Sequence, residues 1–189
     1  MDQKALVNLR SRADAKLSYA EIHLEELRVR GHHGGKGGDV FARSHQESFL
    51  YHLLGAKEAF VLELNVYSGC NLPQDQVTLG KLKNQLQQQE KQSLELAELY
   101  KLESDPTGWL YRAKKMRDHS THVGGIPRGY HHGGPNPGEV WLINPGSASD
   151  SGKHFIDEFQ EWHKNMKELL EQLRKAAIQA NRSNISPPS

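Results

Sequence analysis

Long stretches in which apolar residues recur at every third or fourth position constrain this chain most strongly. The first stretch carries Leu6, Leu9, Ala13, Leu17, Ala20, Leu24 and Leu27, with charged residues between them. This spacing matches the helical period and predicts a helix with one apolar face, which must be buried against other elements. The glycine at position 31 predicts the end of this helix.

Three further stretches continue the pattern along the chain. We expect a central second helix over about Phe41–Tyr67, a third helix over about Thr78–Glu103 that Thr78 caps, and a last helix over about Lys153–Ala180. Ser104-Asp105-Pro106 predicts the start of a short helix that ends near His122. Together these segments predict an all-α fold, an antiparallel bundle of four main helices plus one short helix.

A long segment rich in Gly, Pro and His separates the short helix from the last one. It covers Val123–Gly152 and is interrupted by Glu139–Ile143, which is expected to form one short strand or an extended segment. Loops of this length in a compact domain are usually functional or disordered. We expect one helical domain over 1–180 and a flexible tail over 181–189.

The composition limits the classes of function. Lys and Arg number 24 against 23 Asp and Glu, so a nucleic acid must be bound through a local patch and not through a basic field. The single cysteine, Cys70, excludes an intramolecular disulfide and is typical of a reducing compartment. No segment approaches the run of about 18 apolar residues that a membrane span needs. We therefore expect a cytoplasmic protein without membrane contact.

The segment Arg117-Asp118-His119-Ser120-Thr121-His122 carries the most chemistry. An arginine holds a phosphate with paired donors, and a histidine exchanges protons near neutral pH. A cation, a carboxylate and two imidazoles within two helical turns suit the cleavage of RNA, which needs proton transfer and charge stabilisation.

An arginine followed by a polar residue, with a histidine after four intervening residues, resembles the signature of the HEPN family (higher eukaryotes and prokaryotes nucleotide-binding domain). The resemblance implies an all-helical homodimer in which two copies of the motif meet at the interface. It also implies metal-independent endoribonuclease activity without a cofactor, in which the RNA 2′-hydroxyl attacks the adjacent phosphate. Carried over by position, Arg117 would hold the scissile phosphate, Asp118 would orient a side chain, and His122 would act as general acid or base.

Basic side chains around the motif predict how RNA is held. Cations that follow phosphates beside rings that stack on bases are typical of single-strand binding. The predicted RNA-binding residues are Arg112, Lys114, Lys115 and Arg128, close in sequence to Trp109, Tyr111 and Tyr130. The alternative interpretation is that the rings pack in the core and the lysines are only solvated.

Two other interpretations of the motif remain open. In the first, Arg117 and Asp118 are solvated and His122 caps a helix C-terminus, where the helix dipole favours a cation. The chain is then a non-catalytic homodimeric interaction protein.

In the second, imidazoles from two helices surround a divalent metal ion. The four candidates are His45, His52, His119 and His122, with Glu47 or Glu58 as a substitute ligand. Such a site is similar to that of DinB-like helical bundles, which use three histidines from different helices.

Overall fold

The structure is a computed structural model that describes residues 3–30, 36–130, 140–143 and 150–183. Six helices build most of this part of the chain. The architecture is an all-α helical bundle, as the apolar spacing predicts. The helices are α1 (Gln3–Arg30), α2 (Lys36–Tyr67), α3 (Leu79–Gln88), α4 (Leu94–Ser104), α5 (Trp109–His119) and α6 (Phe155–Ser183). No helix within these ranges is long and apolar enough to cross a membrane.

The two longest N-terminal helices, α1 and α2, pack side by side in opposite directions. His23 Nδ1 of α1 lies 3.0 Å from His45 Nδ1 of α2, and Lys16 Nζ lies 3.5 Å from His52 Nδ1. Residue numbers therefore fall along α1 as they rise along α2, which defines an antiparallel pair. All seven apolar positions predicted for the first helix are buried, so its apolar face is confirmed.

Helix α6 packs against this pair and runs in the same direction as α2. Phe159 stacks on Phe49 with ring centroids 4.3 Å apart, and further along both helices Arg174 reaches Glu63. All six helices contribute to one hydrophobic core, whose largest buried side chains include Trp162, Phe49, Phe60, Phe155 and Phe159. The largest side chains of the core are thus aromatic rings of α2 and α6.

A buried ion network joins the three long helices. Arg174 of α6 donates to both carboxylate oxygens of Glu63 in α2, at 2.9 and 2.7 Å, and to Asp14 of α1 at 2.7 Å. Glu63 is fully buried. Burial raises the pKa of Glu63, and the two hydrogen bonds from Arg174 oppose that rise. This bidentate geometry is the one in which a buried ion pair offsets its desolvation.

The predicted third helix, Thr78–Glu103, is in fact two helices, α3 and α4. The backbone N–H of Lys91 donates to Leu86 O and that of Glu90 donates to Gln87 O, with Glu90 in the left-handed region at φ 54°. This is a Schellman ending, which usually uses glycine at the left-handed position. Ser93 then caps α4 by accepting a hydrogen bond from the N–H of Leu96. Because no glycine or proline marks the break, the apolar spacing predicted one continuous helix.

The segment predicted as one long loop contains a small antiparallel sheet of order β1-β2-β3. Its strands are β1 (Arg128–Tyr130), β2 (Val140–Ile143) and β3 (Asp150–His154). The strand expected at Glu139–Ile143 therefore exists, and two more strands pair with it. The outer strands are short and polar, so they carry no alternating pattern that could have predicted them.

The last helix begins two residues later and ends three residues later than the predicted Lys153–Ala180. Helix α6 continues to Ser183, so positions 181–183 of the expected tail are helical. The remaining tail residues, 184–189, lie outside the described residues.

Removing the arginine of the buried network tests its role. Arg174→Met leaves Glu63 buried without its ionic partner, which typically costs about 3–5 kcal/mol. We expect urea unfolding to show a loss of that order in the free energy of unfolding. Arg28→Met, at an exposed arginine paired with Glu25 on α1, is the control and is expected to cost less than about 1 kcal/mol. Equal small losses for both variants would contradict a structural role for the network.

Candidate functional site

The motif lies on α5 and on the turn that follows it. Leu110, Ala113 and Met116 are fully buried at spacings of three, which anchors the inner face of α5 in the core. The neighbouring residues Arg117 and Asp118 therefore lie at the edge of the bundle. We name residues 117–125 the α5 turn.

The chain leaves α5 through a π-helical turn, Ser120–Gly124, so the α-helix ends at His119 and not near His122 as predicted. The hydroxyls of Ser120 and Thr121 both donate to the backbone oxygen of Arg117 at 2.9 Å. Gly124 and Gly125 have φ values of 144° and 97°, a conformation that favours glycine, and they end the turn. Single π-helical turns are rare and occur often at functional sites.

The guanidinium of Arg117 lies between two carboxylates. Its Nε and Nη2 donate to Asp118 Oδ1 at 3.2 and 3.0 Å, and its Nη1 donates to Glu58 Oε1 of α2 at 2.8 Å. Burial lowers the pKa of Arg117, but the hydrogen bonds to Glu58 and Asp118 raise it by more than burial lowers it. The pKa is therefore above its ordinary value, and the group stays charged. The Glu58 side chain is 59% exposed. Such exposed pairs contribute at most about 1 kcal/mol, so a phosphate oxygen can replace Glu58 at Nη1.

The two histidines of the motif have different surroundings. His119 Nδ1 lies 2.8 Å from the backbone oxygen of Gly125. Because a carbonyl oxygen only accepts, Nδ1 carries the hydrogen, and the neutral ring keeps its lone pair on Nε2. His122 lies on the π-helical turn and is exposed. The α5 turn thus holds one imidazole of fixed orientation and one that solvent reaches.

Helix α2 supplies charged groups to the same region. A Cβ atom on Gly125 would lie 3.6 Å from Arg43 Nη1 and 3.9 Å from Glu47 Oε1. Glu47 follows Arg43 by four residues and Glu58 follows Glu47 by eleven, and these spacings put all three on one side of α2. Sequence reasoning missed Arg43 and considered the two glutamates only as metal ligands. Charges recurring on one side of an otherwise apolar helix were the available signal.

The predicted RNA-binding residues are divided among different environments. Arg112 forms an ion pair with Glu158 of α6, and Lys114 Nζ lies 2.9 Å from Glu103 of α4. These two cations therefore join α5 to neighbouring helices and do not form an open cationic run.

The other two predicted cations are placed differently. Lys115 is exposed, with its Nζ 5.5 Å from the ring centroid of Tyr111. Arg128 begins β1, and its side chain lies outside the described residues. RNA binding by these four residues stays a prediction.

The four histidines of the alternative metal-site interpretation do not come together as one group. His45 and His52 contact His23 of α1, whereas His119 is bonded to Gly125. Within the described ranges, no group of three or more His, Cys, Asp or Glu residues is arranged to hold a metal ion.

Comparison with known proteins assigns the chain to a family. One family model matches residues 7–179, from the first turns of α1 nearly to the end of α6. The chain belongs to DUF6586, a family of unknown function. No curated protein and no solved structure matches it. For this DUF6586 protein, functional inference therefore depends on the geometry of the site.

The tautomer of His119 is directly measurable. For the neutral imidazole, we expect nitrogen-15 NMR to show the hydrogen on Nδ1 and the lone pair on Nε2, because the Gly125 carbonyl accepts the Nδ1 hydrogen. His122, whose ring is exposed, serves as the comparison within the same spectrum. A His119 ring with its hydrogen on Nε2 would show that the hydrogen bond to Gly125 is absent in solution.

Proposed function

We propose that the α5 turn binds RNA phosphate and cleaves the RNA backbone without a metal ion. One observation carries the proposal. Two donors of Arg117 are fixed by Asp118 while a third contacts the exposed Glu58, in the same turn as His119 and His122. The resemblance of this motif to the HEPN signature supports the same activity.

Phosphate binding needs a cation that is oriented before the ligand arrives. Asp118 holds one edge of the Arg117 guanidinium, so that less conformational entropy is lost on binding. Displacement of Glu58 by a phosphate replaces one charge-assisted hydrogen bond with another. Lys115, which is exposed and lies two residues before Arg117, stays a predicted RNA-binding residue.

Cleavage requires two proton transfers and stabilisation of a charged intermediate. An imidazole removes the proton of the RNA 2′-hydroxyl, the 2′-oxygen bonds to phosphorus, and the bond from phosphorus to the 5′-oxygen breaks. An imidazolium returns a proton to the departing oxygen, which leaves a 2′,3′-cyclic phosphate and a 5′-hydroxyl. We assign these transfers to His122, with His119 Nε2 as a second acceptor, and charge stabilisation to Arg117. The HEPN-like homodimer, in which two such turns meet, stays a prediction.

The activity is tested with RNA and a chelator. The wild type is expected to cut RNA in the presence of the chelator and to leave intact a substrate that lacks the 2′-hydroxyl. His122→Ala is expected to lose on the order of a hundredfold in rate through loss of the proton-transfer group. Arg117→Lys is expected to be similarly impaired, because an ammonium lacks the guanidinium fork.

Two matched variants control for changes in folding and charge. Val123→Ala changes an exposed side chain on the same π-helical turn, and Arg28→Lys makes the same substitution on α1. Both should cut RNA at the wild-type rate. No cleavage by the wild type, or equal cleavage by all four variants, would refute the proposed activity.

Glu58 gives a test in the opposite direction. Glu58→Gln removes the carboxylate that competes with phosphate for Arg117 Nη1, so RNA affinity at low salt is expected to rise severalfold. Glu25→Gln, at a similarly exposed glutamate that pairs with Arg28, should give a smaller change. Fluorescence anisotropy with a labelled RNA measures both. An unchanged or lower affinity for Glu58→Gln would show that Arg117 does not bind phosphate.

A further inference from the structure

Three histidines form an imidazole cluster where α1 packs on α2. His23 Nδ1 lies 3.0 Å from His45 Nδ1, and the ring of His52 is parallel to that of His23, with centroids 5.4 Å apart. Phe41 packs against His45 with centroids 4.2 Å apart, and Tyr19 contacts the edge of His52. Ring orientation in this cluster is therefore set by packing from both helices.

The hydrogen bonds of the cluster limit how many of its imidazoles can be protonated. A hydrogen bond between His23 and His45 needs one ring nitrogen with a hydrogen and one with a lone pair, so at least one ring is neutral. Lys16 Nζ lies 3.5 Å from His52 Nδ1. Because an ammonium only donates, His52 is also a neutral acceptor in this arrangement. Full protonation would remove both contacts and place like charges side by side.

The charged groups around the cluster reinforce this preference. Burial lowers the pKa of His23, His45 lowers it further, and Glu26 of α1 opposes the shift. Burial also lowers the pKa of His52, together with Lys16 and His23. The rings of Tyr19 and Tyr51 also contact His52, both in an edge-on arrangement. Glu26 therefore opposes the lowered pKa of His23, whereas Lys16 and the neighbouring imidazoles favour the neutral rings.

The cluster is connected to the α5 turn through α2. His45 lies between Arg43 and Glu47 in the sequence, and both of these side chains lie close to Gly125. Gly125 in turn supplies the carbonyl that holds His119. A displacement of α2 at His45 therefore changes the surroundings of His119.

We propose that His23 and His52, packed with His45, form a pH-sensitive latch that holds α1 to α2 while the rings of His23 and His52 are neutral and releases this end of the pair, together with the α5 turn, on their protonation. The latch itself does not depend on the proposed function. Only its effect on RNA binding does.

The direction of the pH dependence follows from proton linkage. The folded-state pKa of His23 and of His52 lies below the ordinary value of 6.5, so the unfolded chain binds more protons as the pH falls. The stabilisation is complete above about pH 6.5 and is lost as the pH falls through the folded-state values. Carboxylates also titrate on acidification, so the latch must be isolated by comparing variants.

The experiment is urea unfolding of the full chain between pH 7.5 and pH 5. Between these limits the unfolding equilibrium constant of the wild type is expected to rise severalfold more than that of the double variant His23→Gln/His52→Gln, because the lowered pKa values of both rings couple unfolding to proton uptake. The control is His163→Gln, which changes a ring of α6 that contacts Leu17 O of α1 and lies outside the cluster. This variant should keep the pH dependence of the wild type. A double variant with the full wild-type dependence would overturn the latch.

A measurement on the wild type decides the question if the double variant does not fold. Amide hydrogen exchange, corrected for the intrinsic effect of pH, should show faster opening at pH 5.5 than at pH 7.5 in residues 20–29 and 40–50 and in the α5 turn. Exchange that is unchanged in these segments would overturn the proposal. Faster exchange in a protein that binds no RNA would support the latch and refute the proposed function.

Discussion

The buried charge of Arg174 fixes how the three long helices meet. Its fork takes both oxygens of Glu63 on α2 and reaches Asp14 on α1, so these three hydrogen bonds together restrict the rotation and register of α1, α2 and α6. Apolar faces alone permit neighbouring registers, because leucine packs against leucine in several ways. A bidentate buried pair does not tolerate such slippage.

The register of α2 decides what faces the α5 turn. With Glu63 held, Lys57 lies 2.9 Å from Glu103 of α4, and the same carboxylate receives Lys114 of α5. Burial opposes ionisation of Glu103, but the two lysines more than compensate and lower its pKa. Glu58, the next residue of α2, contacts Arg117 of α5. The surroundings of the Arg117 guanidinium therefore depend on the register of α2 against α5.

Apolar spacing was sufficient to predict α1, α2 and α6, because burial of one helical face leaves a direct trace in the residues. It could not predict the break between α3 and α4, where Glu90 takes a left-handed conformation without the usual glycine. The motif itself could be found in the sequence, since Arg117, Asp118 and His122 lie within six consecutive residues. Its surroundings were not, because Glu58, Arg43 and the ion pairs of Arg112 and Lys114 depend on the register between helices.

The proposed function requires Arg117 to bind a phosphate in the same turn that holds His119 and His122. The most direct test is an NMR titration of the wild type with a short single-stranded RNA, following the arginine Nε–Hε and histidine ring signals. The account predicts that the signals of Arg117, His119 and His122 shift together and saturate with one affinity. Shifts confined to other arginines and histidines, with the signals of the α5 turn unchanged, would contradict it.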